Sequence, residues 1–334
     1  MDPQMDVRRA PAGLYWVASL LTAAFLALPT LARGIETAGA SADRIDRWIA
    51  DLQSHDLTRR WQAVYALGQT GPAAAGAVEP LAAILANLAE HEYVRGATAW
   101  ALGRIGPQAE LGVPVLIDTL GSAHISVRRN SPLALAAIGS PEAIASVPRL
   151  LDLLEDPDRE VRVNAAVALW RLARHEHSIP VLQAMLAGPG VGAYEAAVAL
   201  GRLDGAPEQQ VLGPLVDAFA HDDATVRRAA ARSVGKLGGV ALPALQTAFK
   251  HAQDKVRQAA AESLGWMGPQ AVPDLIAALR NDSPAVRRIA ARSLGRLGAE
   301  ASEAKPDLLA ALDDPHPEVR QAAAWAIGRV RREP

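Results

Sequence analysis

The sequence predicts an all-α solenoid built from about nine tandem two-helix units. Three observations carry the prediction: a Val-Arg pair recurs at regular spacing, apolar residues recur around it with a helical period, and half of the 334 residues are hydrophobic although only 4% are aromatic. A core of small aliphatic side chains suits close-packed helices better than stacked sheets.

The repeat is read from its arginines. Arg60, Arg95, Arg128, Arg162, Arg227, Arg257, Arg287 and Arg320 lie 30 to 35 residues apart once Ala193 is placed in the fifth slot. At a short, nearly constant distance before each stands a proline, Pro80, Pro114, Pro148, Pro180, Pro214, Pro243, Pro273 or Pro306, with only the first unit lacking one. A proline tolerates the first turn of a helix, where its missing N–H has no partner to lose, so it marks the start of the first helix of each unit. "PDLIAAL", Pro273 to Leu279, is the aliphatic pattern that follows.

After a polar turn the second helix begins. Asp56, Asp158, Asp223 and Ser283 stand four residues before their arginines and offer a side-chain oxygen to a free backbone N–H; Pro284 and Pro317 take the next position. Gly71, Gly106, Gly139, Gly238, Gly268 and Gly298 close these helices. Counted from the arginine, positions −1, +3, +6, +7 and +10 form one apolar stripe, in the sixth unit Val226, Ala230, Ser233, Val234 and Leu237. One helix pair cannot bury such a stripe, so the units must stack.

With these landmarks the chain resembles the HEAT-repeat family, in particular the short HEAT-like repeats of the phycobilin-lyase type, over about Ser41 to Arg332. The resemblance implies an α-solenoid superhelix whose second helices line a concave wall; it does not imply one function. Two units depart from the pattern. "GPGVGAY", Gly188 to Tyr194, replaces the fifth turn, and Pro132 falls inside the third unit's second helix. Each is either a hinge or a kink absorbed by packing, and packing is favoured.

The repeated arginine sits off the centre of the core stripe, beside polar turns, and is expected to form an inter-repeat ladder to turn acids and carbonyls. Positions +1, +5 and +9 lie opposite the core and are the candidate partner-binding residues. In the last four units they read Arg228, Arg232, Lys236; Gln258, Glu262, Trp266; Arg288, Arg292, Arg296; and Gln321, Trp325, Arg329. The same columns toward the N-terminus hold Trp61, Tyr65, Trp100, Leu133, Val163 and Val167. The expected result is a basic zone that attracts an acidic protein surface, and an apolar zone that is either a second patch or a place where neighbouring helices bury one another.

Before the repeats, residues 1–32 carry a hydrophobic export segment and 33–40 a linker. "APAGLYWVASLLTAAFLALPTLA", Ala10 to Ala32, is uncharged and follows Arg8 and Arg9, which fits a signal peptide or one membrane-spanning helix. Pro29 and the small residues Thr30 and Ala32 favour cleavage after Ala32. Either way the repeats are expected outside the cytoplasm, soluble or anchored, with membrane contact through residues 10–32 only.

Chemistry is sparse in the sequence. There is no cysteine, and the net charge of −2 gives no global pull toward nucleic acid. Deoxyhypusine hydroxylases use similar repeats with His-Glu pairs directly after the arginine; the corresponding pairs here, from Trp61-Gln62 to Gln321-Ala322, contain no histidine. The eight histidines fall in turns, and "RHEHS", Arg174 to Ser178, lacks a rigid third ligand for a metal. The expected function is therefore a non-enzymatic scaffold or adaptor for a protein partner, without cofactor. The alternative is a HEAT-like lyase or accessory enzyme acting on an acidic ligand or chromophore.

Overall fold

The computed structural model describes residues 42–330, so the export segment and linker lie outside the described residues. Within them there are helices and no strand, and no helix is long and apolar enough to cross a membrane. The helices pair off in sequence order. The first four pairs are α1 (Ala42–Asp51) with α2 (Leu57–Thr70), α3 (Val78–Ala86) with α4 (Glu92–Ile105), α5 (Val113–Asp118) with α6 (Ile125–Ile138), and α7 (Val147–Asp152) with α8 (Arg159–Ala173). Five more follow: α9 (Ser178–Leu186) with α10 (Val191–Leu200), α11 (Glu208–Asp217) with α12 (Ala224–Lys236), α13 (Leu242–Ala248) with α14 (Asp254–Met267), α15 (Val272–Ala278) with α16 (Pro284–Leu297), and α17 (Lys305–Ala310) with α18 (Pro317–Val330). Nine repeats are thus present among the described residues, as the arginine register predicts.

The helix ends follow from local chemistry. Asp56, Asp158 and Asp223 accept from the backbone N–H groups of Thr58, Glu160 and Thr225, and Ser283 from that of Val286. The six closing glycines all have positive φ, and at Gly71 (φ 65°, ψ −137°) the backbone lies where only glycine is unstrained. Most first helices carry their proline in the opening residues. Pro214 is an exception to the expected placement. Helix α11 starts at Glu208, so Pro214 lies inside it and removes one internal hydrogen bond. Pro132 also lies inside a helix, and α6 runs through it unbroken.

The chain divides into two compact units between Ser178 and Ile179. In each, successive second helices pack on one another and first helices cover them on one side. The core columns are −1 and +7 from the arginine. Val94, Leu102, Val127, Leu135, Val161 and Leu169 are buried in the first unit, and Val226, Val234, Val256, Leu264, Val286 and Leu294 in the second. Burying each such side chain contributes ~1.5–3 kcal/mol, which explains why the stripe fixes the stacking register.

Candidate functional site

The repeat arginines are engaged by turn carbonyls, which leaves other cations to face solvent. In six of the repeats the guanidinium Nη1 donates to carbonyls in the turn of its own repeat, five and six residues earlier: Arg128 to Ser122 and Ala123, Arg162 to Asp156 and Pro157, Arg227 to His221 and Asp222, Arg257 to His251 and Ala252, Arg287 to Asn281 and Asp282, Arg320 to Asp314 and Pro315. Arg60 donates in the same way to Ser54 alone. Three of them also reach an acid of the next repeat, pairing Arg60 with Glu90, Arg128 with Asp156 and Arg287 with Asp314 at 2.6–2.8 Å. The inter-repeat ladder is therefore partial, and most of the bonding brings each turn back to its own helix. The turn histidines share this work. His221 and His251 accept through Nδ1 from the backbone N–H of Asp223 and Gln253, a helix-entry contact that residue type alone does not signal.

The basic columns of the second unit stand where the sequence puts them. Arg228, Arg232, Lys236, Arg292 and Arg296 are exposed, as are Gln321, Trp325 and Arg329, while Arg288 is half-buried. Among the described residues, Arg228, Arg232, Lys236 and Arg292 have no carboxylate partner. For Arg228 the reason is visible in repeat 3, whose equivalent arginine, Arg129, is held by Asp158 at 2.6 Å and Glu160 at 2.8 Å. The residues that would hold Arg228 in the same way are Gln253 and Lys255. Partial burial, and then the charges of Arg202 and Arg232, hold the Lys236 ammonium below its ordinary pKa. Positive charge is thus concentrated here, offset only in part by Glu262 in the same columns and by Glu318 beside Arg288.

Tryptophans are fixed within this charge. The Arg232 guanidinium lies 4.7 Å from the Trp266 ring centre and that of Arg296 lies 5.8 Å away; Arg329 lies 5.1 Å from the Trp325 ring. Both indoles are 44% exposed. Two helix glycines, each eight positions after a repeat arginine, make room for them. A Cβ on Gly235 would come within 2.5 Å of the Trp266 Cβ, and one on Gly295 would come within 2.7 Å of Trp325 Cε3. These seats are missed by hydrophobic patterning, although the recurrence of glycine at +8 is a signal for them.

In the first unit the second of the two alternatives holds, and neighbouring helices bury one another. Trp100 is 1% exposed, and Leu133, Val163 and Val167 are also buried, so these columns form no open apolar patch. Aromatic stacking closes the surface: Trp61 lies on Tyr65 at 5.3 Å and Tyr65 on Trp100 at 5.4 Å, in nearly parallel planes. Trp61 and Tyr65 are half-buried by the same stack. Asn130 and Asn164 add buried bonds to the Gly96 and Arg129 carbonyls of the preceding repeat. Of the twelve predicted partner-binding residues, Trp61, Tyr65 and Trp100 thus belong to this stacked region, and the other nine come together on the second unit.

No group of three or more His, Asp or Glu among the described residues is placed to hold a metal ion. His175 and His177 approach each other at 3.3 Å through their Nδ1 atoms.

The profile for HEAT repeats matches residues 78–147, 113–201, 191–265 and 272–334. The chain belongs to the HEAT-repeat family. The profile for the PBS lyase HEAT-like repeat matches residues 256–281 as well. No curated protein matches this HEAT-repeat chain in sequence. In structure it is similar to Kap95p in complex with RanGDP, with a TM-score of 0.51 at 15% identity, covering 99% of this chain and 50% of that one. It is also similar to the full-length AP-3 complex in an intermediate open conformation, with a TM-score of 0.53 at 14% identity over 94% of this chain and 54% of that one. The chain spans about half the length of either, and the likeness is one of fold. The phycocyanin lyase complex of CpcE and CpcF from Nostoc aligns with a TM-score of 0.37 at 21% identity, over 84% of this chain and 99% of that one.

Proposed function

We propose that this HEAT-repeat protein is a non-enzymatic scaffold that binds an acidic protein segment on the exposed second helices of repeats six to nine, outside the cytoplasm. The observation that carries the reading is the set of exposed cations, Arg228, Arg232, Lys236 and Arg292, that have no carboxylate among the described residues to hold them. Unneutralised charge on one face raises the local concentration of anionic partners and accelerates encounter. Exposed Trp266 and Trp325, held against guanidinium groups, supply the buried area that charge alone lacks. The neighbours are Kap95p, which binds RanGDP, and the AP-3 complex, which is consistent with this use of the fold. The location rests on the uncharged segment Ala10 to Ala32. If cleavage follows Ala32, Arg33 is the N-terminal residue of the mature protein, which peptide mapping detects.

The binding test is a pair of charge reversals, Arg232→Glu with Arg292→Glu. A labelled poly-glutamate peptide is expected to bind the chain at low salt, to be released as salt rises, and to bind the double variant at least ~10-fold more weakly. The melting temperature should move by less than ~4 °C, because these exposed side chains have no carboxylate partner and the ring contact of Arg232 contributes at most ~1 kcal/mol. A variant that loses stability and keeps its binding would overturn the assignment, as would a stoichiometric pigment absorbance in the purified protein.

A further inference from the structure

A cleft of about 630 Å³ opens between α16 and α18, lined by Arg288, Arg292, Glu318, Gln321, Ala322 and Trp325. Arg288 and Arg292 are four residues apart and share one helix face; Gln321 and Trp325 do the same on the opposite wall. One wall therefore offers two guanidinium groups, and the other an amide and an indole.

The charges are incompletely satisfied. Arg288 Nε is buried without a hydrogen-bond partner, and the nearest Glu318 oxygen lies 3.9 Å away, beyond bonding range. Arg292 has no acid partner among the described residues. With Glu318 at its edge the cleft has a net charge of one, which a single carboxylate neutralises and a doubly charged phosphate would leave net negative. Trp325 is held in place, its ring lying over Gly295 and its neighbour Arg329 donating to the Gly295 carbonyl at 3.0 Å. Its exposed surface is a prepared platform for a flat or long apolar group.

We propose that this cleft is the anchor subsite for the partner, taking one Asp or Glu carboxylate between Arg288 and Arg292 and the adjacent aromatic or long aliphatic side chain on Trp325. The proposal rests on the acidic-partner reading above and adds to it a residue-level preference, an acidic residue next to an apolar one.

The probe is a short fluorescein-labelled peptide with a single Glu-Phe pair in a Gly-Ser context, followed by anisotropy with the full chain. Its Gln-Phe, Glu-Ala and phosphoserine-Phe versions serve as unlabelled competitors. The Glu-Phe competitor should displace the probe about ten-fold better than Gln-Phe or Glu-Ala. Arg292→Ala should weaken binding about ten-fold and Trp325→Ala about five-fold, with Trp325→Phe recovering most of the loss. The subsite is overturned if Glu-Ala or Gln-Phe competes as well as Glu-Phe, if phosphoserine-Phe competes better, or if both variants bind normally. Poly-glutamate separates the two levels of the argument: if it still binds in an Arg228- and Lys236-dependent way, only the subsite is wrong. If it fails to bind at all, the acidic-partner reading fails with it.

Discussion

Arg287 and Arg227 occupy the same position in two repeats but have different surroundings, so substituting each with alanine measures what the ladder contributes. Both donate to two turn carbonyls at 2.7–3.0 Å. Arg287 alone also holds Asp314 through two bonds, at 2.6 and 3.0 Å, with side-chain exposures of 12% and 8%. Losing the carbonyl bonds frees groups that can turn to water and costs ~1 kcal/mol. Removing Arg287 also leaves a nearly buried carboxylate without its partner, which raises the cost to ~3 kcal/mol. For a unit of this size 1 kcal/mol corresponds to ~2–4 °C, so Arg227→Ala should lower the melting temperature by ~2–4 °C and Arg287→Ala by ~6–12 °C. Scanning calorimetry on the two variants decides between them. Equal shifts would show that the Asp314 pair contributes nothing and that the ladder is held by carbonyl bonds alone.

The same pair carries a pH signature. The hydrogen bond from Arg287 is the main reason the Asp314 carboxyl lies below its ordinary range, against an opposing contribution from burial. A depressed folded-state pKa contributes stability above the unfolded value near ~3.9 and loses it as pH falls through the folded value. The gap in melting temperature between the unmodified chain and Arg287→Ala should therefore be constant from neutral pH down to about 5 and close below about 4; a constant gap throughout would count against the assignment. Glycine substitution tests the tryptophan seats. Gly295→Ala places a methyl group against the Trp325 ring and should cost ~1–3 kcal/mol in urea unfolding, whereas Gly328→Ala meets nothing within 4 Å and should gain up to ~1 kcal/mol from helix propensity. Destabilisation by both would refute the close-approach explanation.

The fold was legible because it is written nine times. A single Val-Arg pair says little, but recurrence at 30 to 35 residues fixes helix, turn and core positions together, and Asp56, Asp158, Asp223 and Ser283 cap the helices they should. The position of a residue on its helix was equally readable, which is why Arg228, Arg232, Lys236 and Arg292 are exposed as expected. Whether a neighbour covers that position was not. Trp100 and Trp325 both stand five residues after their arginine and both lie against a glycine of the preceding repeat, Gly68 and Gly295. One is 1% exposed and the other 44%, because Tyr65 stacks on the first while the second borders an open cleft. Such coverage depends on side chains about thirty residues away in sequence, beyond the reach of a single-helix pattern.

That dependence also explains how a repeat scaffold acquires a binding face without new architecture. Arg129 and Arg228 hold the same register position, one locked by Asp158 and Glu160, whereas the residues at the corresponding positions after Arg228 are Gln253 and Lys255. The arginine itself does not distinguish structural from available charge; the acids of the following repeat do. Two residues at the start of the following second helix thus separate a locked arginine from one without a carboxylate partner, and the core stripe that fixes the fold need not change. On this reasoning the face of repeats six to nine is defined as much by its missing acids as by its arginines. Restoring those acids, Gln253→Asp with Lys255→Glu, should lock Arg228 into the pattern of Arg129 and remove its contribution to an acidic ligand.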